Sequence, residues 1–158
     1  MRMLQYLASA SVIGTVAAAI MGSYVRGMGA GLACPDWPLC HGALIPPLEL
    51  PILLEWGHRL IVLGVTLCVA AVGLLTWRKR LPARFNALQS LVLLVTQAVL
   101  GGITVIVRLN PAIVALHQGL ALIFFRLARR AGAGIAAHDA PFSRSAGPGC
   151  GQVKQFVV

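Results

Sequence analysis

The stretch LIVLGVTLCVAAVGLLTW, residues 60–77, decides the fold, because its 18 residues carry no charge. A helix that crosses the hydrocarbon core of a bilayer needs about 20 predominantly apolar residues. The alternation of apolar and polar residues that marks a half-buried strand is absent. The stretch therefore predicts a membrane-spanning helix that ends before Arg78. Its apolar character extends upstream to Ile52, interrupted only by Glu55, His58 and Arg59.

Three further runs without a charge cover residues 4–25, 87–107 and 112–125. The last is short unless Arg126 and Arg129 extend towards the lipid headgroups. We therefore predict an all-α, transmembrane four-helix bundle with helices at about 4–25, 52–77, 87–107 and 112–128, which forms one domain over residues 1–130. The first run could instead be a signal peptide, but its length favours a retained helix. Residues 131–158 lose the apolar pattern and predict a disordered tail.

Composition excludes a water-soluble globule, since 58% of the residues are apolar, 11% are charged and the mean hydropathy is +0.84. The net charge is +9, and eight of the 13 cations lie before, between or after the uncharged runs: Arg2, Arg78, Lys79, Arg80, Arg84, Arg126, Arg129 and Arg130. The positive-inside rule places these segments, and both termini, in the cytoplasm. The basic charge is thus a topology signal and requires no nucleic acid as partner. Residues 26–51 and 108–111 are expected outside.

A weak internal repeat relates the two halves of the predicted bundle. The first helix closes on Gly22 and the third on Gly101 and Gly102, while the second and fourth each carry a histidine near their start. Two similar hairpins would form a pseudo-symmetric bundle. Small residues allow membrane helices to approach closely, although they are common there in any case.

Two histidines, His58 and His117, follow Pro51 and Pro111 by seven and six residues. At about 1.5 Å per residue, both lie roughly 9–10 Å along parallel helices. Each could be a hydrogen-bonded interior residue, but two at matched depth also suit the axial ligands of a heme iron. Zinc is disfavoured, because it needs three or four ligands.

The other ionisable residues near this level add chemistry to the site. Glu55 lies three residues before His58, and beside a heme it could orient a ligand, move a proton or stabilise developing positive charge. Arg59 is expected to point elsewhere on the helix. Arg26, Arg59 and Arg108 are candidates to bind heme propionates, with lipid phosphate as the alternative partner. Cys34 and Cys40 lie in the expected outer loop, where a disulfide is chemically reasonable.

Four stretches, in this order, resemble the heme A synthase family of cytochrome oxidase assembly: GMGAGLACPDWPLCHG at 27–42, EWGHR at 55–59, QAVLGGITV at 97–105 and LHQG at 116–119. The resemblance implies a plasma-membrane oxidoreductase that converts heme O into heme A by oxidising one porphyrin methyl to a formyl group, assisted by heme b. By position it implies His58 and His117 as heme ligands, Glu55 as the functionally important acid, and Cys34 and Cys40 as the outer-loop cysteine pair, which can form a disulfide and take part in heme handling.

Members of that family usually have eight spanning helices in two similar halves, and this chain resembles the N-terminal half. A half-size member could restore two heme sites as a homo-oligomer, and a heme O synthase and an electron donor are expected partners; a truncated gene is the alternative. Two other functions stay open from the sequence. One is a non-catalytic b-type cytochrome that uses the same histidines, and the other is a thiol oxidoreductase that uses the cysteine pair.

Overall fold

The computed structural model describes residues 1–139, which form four α-helices and no strand. In chain order they are α1 (Arg2–Gly27), α2 (Leu50–Arg78), α3 (Arg84–Ile106) and α4 (Pro111–Asp139). All four are long and apolar enough to cross a membrane. The prediction of an all-α bundle of four spanning helices is therefore confirmed.

The helices form a ring in which each packs against its neighbours in the chain, and α4 closes the ring against α1. The α1–α2 connection (residues 28–49, the "long loop") and the α3–α4 connection (residues 107–110) lie at one end of the bundle, called here the loop end. The α2–α3 turn and the N-terminus lie at the other end. Because α1 contributes Leu4 and Ala8 to the same core cluster as Ile135 of α4, the first helix is an integral part of the bundle.

The buried residues repeat with a fixed offset, so the bundle consists of two equivalent hairpins, α1–α2 and α3–α4. On α1 and on α3 with its N-cap residue Ala83, the equivalent buried positions are 79 residues apart: Leu4 and Ala83, Ala8 and Ala87, Ser11 and Ser90, and Val25 and Thr104. On α2 and α4 they are 59 residues apart: Glu55 and Val114, Val65 and Phe124, Val69 and Ala128, Val72 and Ala131, and Thr76 and Ile135. The expected repeat is thus present in the packing of all four helices.

The fourth helix is longer than predicted, since it continues past residue 128 to Asp139. Three buried residues explain the extension: Ala128, Ala131 and Ile135 lie on one face and pack into the core. Alanine also has the highest intrinsic helix propensity. The prediction of a disordered segment is therefore wrong for residues 131–139, and the remainder of the predicted tail, residues 140–158, lies outside the described residues.

Candidate functional site

His58 lies on α2, and its ring packs directly against Gly22 of α1. A Cβ atom added to Gly22 would lie 3.0 Å from Cε1 of His58, closer than side chains normally approach. The glycine therefore provides the space that the imidazole occupies. The backbone carbonyl of Ala18, one turn earlier on α1, lies beside the same ring.

His117 has an equivalent environment in the second hairpin. A Cβ added to Gly101 of α3 would lie 3.5 Å from Cε1 of His117, and the carbonyl of Gln97 lies beside the ring. Gly101 and Gln97 are the pseudo-symmetric equivalents of Gly22 and Ala18. The structure therefore places the two sequence-predicted histidines in matching positions on the diagonal helices α2 and α4.

The two imidazoles are the residues that could hold a ligand between α2 and α4. Nδ1 of each ring is buried and makes no hydrogen bond within the described residues. Within residues 1–139 there is no group of three or more His, Cys, Asp or Glu side chains around one point, as a structural zinc site would require. Two half-buried imidazoles on two different helices could hold the iron of a heme.

The long loop is closed by a disulfide between Cys34 and Cys40, whose Cα atoms are 4.7 Å apart. Both cysteines are buried and pack against Ile52 and Trp56 of α2. The Trp56 indole also donates to the carbonyl of Leu44, 3.0 Å away. The disulfide predicted from the sequence is thus present, and it seats the loop on the start of α2.

The side chains of Glu55 and Arg59, both on α2, bind this loop. One Glu55 oxygen accepts a hydrogen bond from the Cys34 N–H at 2.8 Å, and the other accepts from Nη2 of Arg59 at 2.6 Å. Arg59 also donates to the carbonyls of Cys34, Asp36 and Leu39. Arg59 therefore does not point away from Glu55 as expected, because residues four apart stack on the same helix face. The Arg59 guanidinium is already hydrogen-bonded to the loop, so a heme propionate could bind it only by displacing those carbonyls.

Asp36 and His41 stabilise the part of the long loop around residues 36–42. The Asp36 carboxylate accepts from the backbone N–H groups of His41 and Gly42, at 2.6 and 2.8 Å. These two hydrogen bonds, of which the one from Gly42 has the larger effect, hold the pKa of the Asp36 carboxyl below its ordinary value of 3.8. The His41 ring lies 2.9 Å from the carbonyl of Ala33, so this histidine belongs to the loop structure.

Trp37 is a site residue that the sequence analysis did not single out. Its ring packs on Gly102 of α3, where an added Cβ would lie 2.9 Å from Cδ2 of the indole. Gly102 follows Gly101, which contacts His117. Glycine at adjacent positions of a membrane helix was the available signal, but the sequence could not show which side chain fills the space.

The remaining predicted residues, Arg26 and Arg108, are exposed at the loop end. Arg108 lines an open cavity of about 400 Å³ together with Leu32, Pro35, Val105 and Ile106. An exposed guanidinium beside an apolar cavity suits a ligand that combines an anionic group with an apolar body. Arg26 ends α1 and has no ion-pair partner among the described residues.

The sequence of the chain is similar to those of known proteins. Residues 5–52 match the family model of cytochrome oxidase assembly proteins (COX15-CtaA). The chain is 37% identical to a heme A synthase of Bacillus pumilus over 67% of this chain and 36% of that protein. It is 39% identical to one from Symbiobacterium thermophilum (63% and 33%) and 32% identical to one from Lysinibacillus sphaericus (78% and 42%).

The matched part of the chain spans about a third to two fifths of the length of these curated relatives. No solved structure matches the chain significantly. The apolar helices and the sequence matches together identify a multi-pass membrane protein. The resemblance carried by the sequence motifs is thus confirmed: this chain is related to the heme A synthase family of cytochrome oxidase assembly proteins.

Proposed function

We propose that the chain is a heme A synthase-like membrane oxidoreductase, which acts in cytochrome oxidase assembly by oxidising a methyl group of heme O to the formyl group of heme A. One observation carries the proposal: His58 and His117 occupy pseudo-symmetric positions on α2 and α4, and each ring packs beside a glycine of the neighbouring helix. The match to curated heme A synthases supports the reaction class.

In this proposal the chain's own side chains hold and orient the porphyrin. His58 and His117 bind the iron from α2 and α4, and Gly22 and Gly101 give each ring its room. Arg26 and Arg108, at the loop end, are placed to bind propionates. Bound heme supplies the redox-active iron, either as heme O substrate or as a heme b cofactor. The catalytic role of Glu55 stays a prediction, because both of its oxygens bind the loop or Arg59.

The setting follows from the same comparison. We propose a plasma-membrane location with the loop end and the heme site on the outer side, as the cation distribution indicates. A homo-oligomer would supply the second histidine pair that longer relatives are expected to have, and a heme O synthase and an electron donor are the proposed partners.

A non-catalytic b-type cytochrome is the second candidate, and the engagement of Glu55 with the loop favours it. A thiol oxidoreductase is disfavoured, since both loop cysteines are almost fully buried, with 0% and 1% of their surface exposed.

Product analysis separates the two candidates. The full chain is expressed together with a heme O synthase, and its hemes are extracted and resolved by chromatography while its oligomeric mass is measured. Heme A or hydroxylated heme O supports the oxidoreductase. Unmodified heme with a low-spin spectrum supports the cytochrome, and the absence of any bound heme contradicts both. A variant with His58 and His117 replaced by alanine is the matched control.

A further inference from the structure

The long loop reaches across the bundle to the wall of the other hairpin. Trp37 belongs to the α1–α2 connection, yet its indole packs on Gly102 of α3. Gly102 directly follows Gly101, the residue that makes room for His117. Trp37 therefore packs one residue along α3 from the glycine that faces His117, and 47% of its surface is still exposed and able to contact a ligand.

A single side chain holds the backbone on both sides of Trp37. Nη1 of Arg59 donates to the carbonyl of Asp36, at 2.7 Å, and to that of Leu39; Nη2 donates to the carbonyl of Cys34, at 3.1 Å. Glu55 fixes the guanidinium by its ion pair of 2.6 Å. Three carbonyls and one carboxylate use the planar fork of arginine, which the single ammonium of lysine cannot reproduce.

We propose that Trp37 is a positioning residue that closes the site beside His117, and that the Glu55–Arg59 pair holds Trp37 there through the loop backbone. The inference rests on the proposed function, since the closed site is the one assigned to heme. An apolar indole at the pocket edge excludes water and opposes departure of the porphyrin. Glu55 then acts on the ligand through Arg59 and the loop rather than by touching it.

The first test needs no heme. Trp56 and Trp77 are replaced by phenylalanine, so that Trp37 is the sole tryptophan of the full chain in detergent, and acrylamide quenching of its fluorescence is measured. Arg59→Gln should raise the quenching constant about twofold, since Trp37 is already half exposed and a released loop segment becomes fully exposed. Arg59→Lys should give a smaller rise.

Gly102→Ala tests the same contact from the other side without touching the loop anchors. Its Cβ would displace the indole and should also raise quenching. The matched control is Gly64→Ala, a helical glycine whose added Cβ meets nothing within 4 Å. Helical content from circular dichroism identifies any variant that fails to fold, and Arg59→Lys then takes the place of Arg59→Gln.

The second test measures release of hemin from the loaded full chain to an excess of apomyoglobin. Trp37→Ala and Arg59→Gln should each speed release about tenfold, because changes at a binding site act mainly on dissociation rates. Both should keep the low-spin spectrum, as His58 and His117 are untouched. Trp37→Phe, which retains an apolar ring, should recover most of the slow release.

Each outcome decides one part of the proposal. Unchanged quenching in Arg59→Gln, with helical content retained, overturns the holding role of Arg59. Unchanged hemin release in Trp37→Ala overturns the closing role of Trp37. If the unaltered chain takes up no low-spin heme, the proposed function and the closing role fail together, while the quenching data still decide whether Arg59 holds Trp37.

Discussion

The two hairpins of the bundle have equivalent residues at the histidine site and different connections at the loop end. In both, a glycine of the first helix faces a histidine of the second, at Gly22 and His58 and at Gly101 and His117. Several buried positions along the helices also correspond, among them Ser11 with Ser90 and Val65 with Phe124. Because both hairpins have the same glycine–histidine contact, we expect this contact to support the site that the two histidines form.

The difference between the hairpins lies at the loop end. The first has a 22-residue, disulfide-closed connection over residues 28–49, and the second has the four residues 107–110. Glu55 and Arg59 bind the long loop, whereas the equivalent positions carry Val114 and Gln118. The Glu55–Arg59 pair is therefore present only in the hairpin that has the long loop, whereas both hairpins have the histidine. Ligand binding and loop anchoring are thus assigned to different residues.

The largest expected effect follows from the shared feature. His58→Ala and His117→Ala should each abolish the low-spin heme absorption, because one remaining imidazole leaves the iron without its second axial ligand. The two losses should be similar, since the sites are equivalent. Absorption spectra of the purified variants provide the measurement.

His138→Ala is the control for this pair, because His138 is an exposed residue at the end of α4. Retention of a full low-spin spectrum by both test variants would remove the assignment of these histidines as ligands. Loss in only one of them would show that the pseudo-symmetric hairpins differ in function.

A smaller effect is expected from the feature that only the first hairpin has. Glu55→Gln should lower the free energy of unfolding by about 2 kcal/mol, because the partly buried guanidinium of Arg59 loses its counter-charge. In a double-mutant cycle with Arg59→Gln the coupling should be about 1–2 kcal/mol. Equilibrium unfolding in mixed micelles, followed by circular dichroism, measures both quantities.

The matched cycle in the second hairpin uses Val114→Ala and Gln118→Ala, which occupy the equivalent positions without an ion pair. These substitutions should be additive within about 0.5 kcal/mol. Equal coupling in the two cycles would contradict the view that the Glu55–Arg59 pair is specific to the loop.

The two glycines sharpen the comparison further. Gly22→Ala places a Cβ 3.0 Å from the ring of His58, and Gly101→Ala places one 3.5 Å from that of His117. Only the first contact requires the imidazole to shift. Because neighbouring groups set the orientation of a metal-binding histidine, Gly22→Ala should alter the electron paramagnetic resonance spectrum of the ferric heme more than Gly101→Ala.

Gly119→Ala, two residues beyond His117, is the control, since its Cβ meets nothing within 4 Å. A larger spectral change in Gly101→Ala than in Gly22→Ala would reverse the assignment of the more tightly packed histidine.

The helices and the matched depth of the histidines could be predicted from sequence because they depend on local quantities. Lengths of uncharged runs set the spans, and the prolines at 51 and 111 mark where two of them begin. The end of α4 could not be placed this way. The loss of the apolar pattern after residue 130 suggested an end, whereas the buried face of Ala131 and Ile135 continues the helix against α1.

The loop contacts lay beyond prediction for a different reason. The spacing of Glu55 and Arg59 allows an ion pair, but the further partners of Arg59 are carbonyls of residues 34–39, whose positions depend on the folded loop. The fit of Trp37 against Gly102 likewise joins residues 65 positions apart. Such contacts depend on the tertiary structure and cannot be read from residue spacing. Because of them, Arg59, which the sequence made a candidate for propionate binding, is a residue that anchors the loop.

The smallest expected effect separates the two connections by their response to acid. The pKa of Asp36 lies below 3.8, so its carboxylate stabilises the long loop at neutral pH, and this contribution is lost only as the pH falls below about 4. In the variant with Trp37 as sole tryptophan, quenching should stay constant from pH 7 to about 4 and then rise. Asp36→Asn, which puts an amide N–H opposite the N–H of His41 or Gly42, should show the raised quenching already at pH 7 and little further change. The connection at 107–110 carries no carboxylate, and Ala112 at the start of α4 instead donates to the uncharged Asn110 side chain, so a probe there should not respond. A rise in quenching that begins near pH 6 would assign the effect to a histidine and remove Asp36 as its cause.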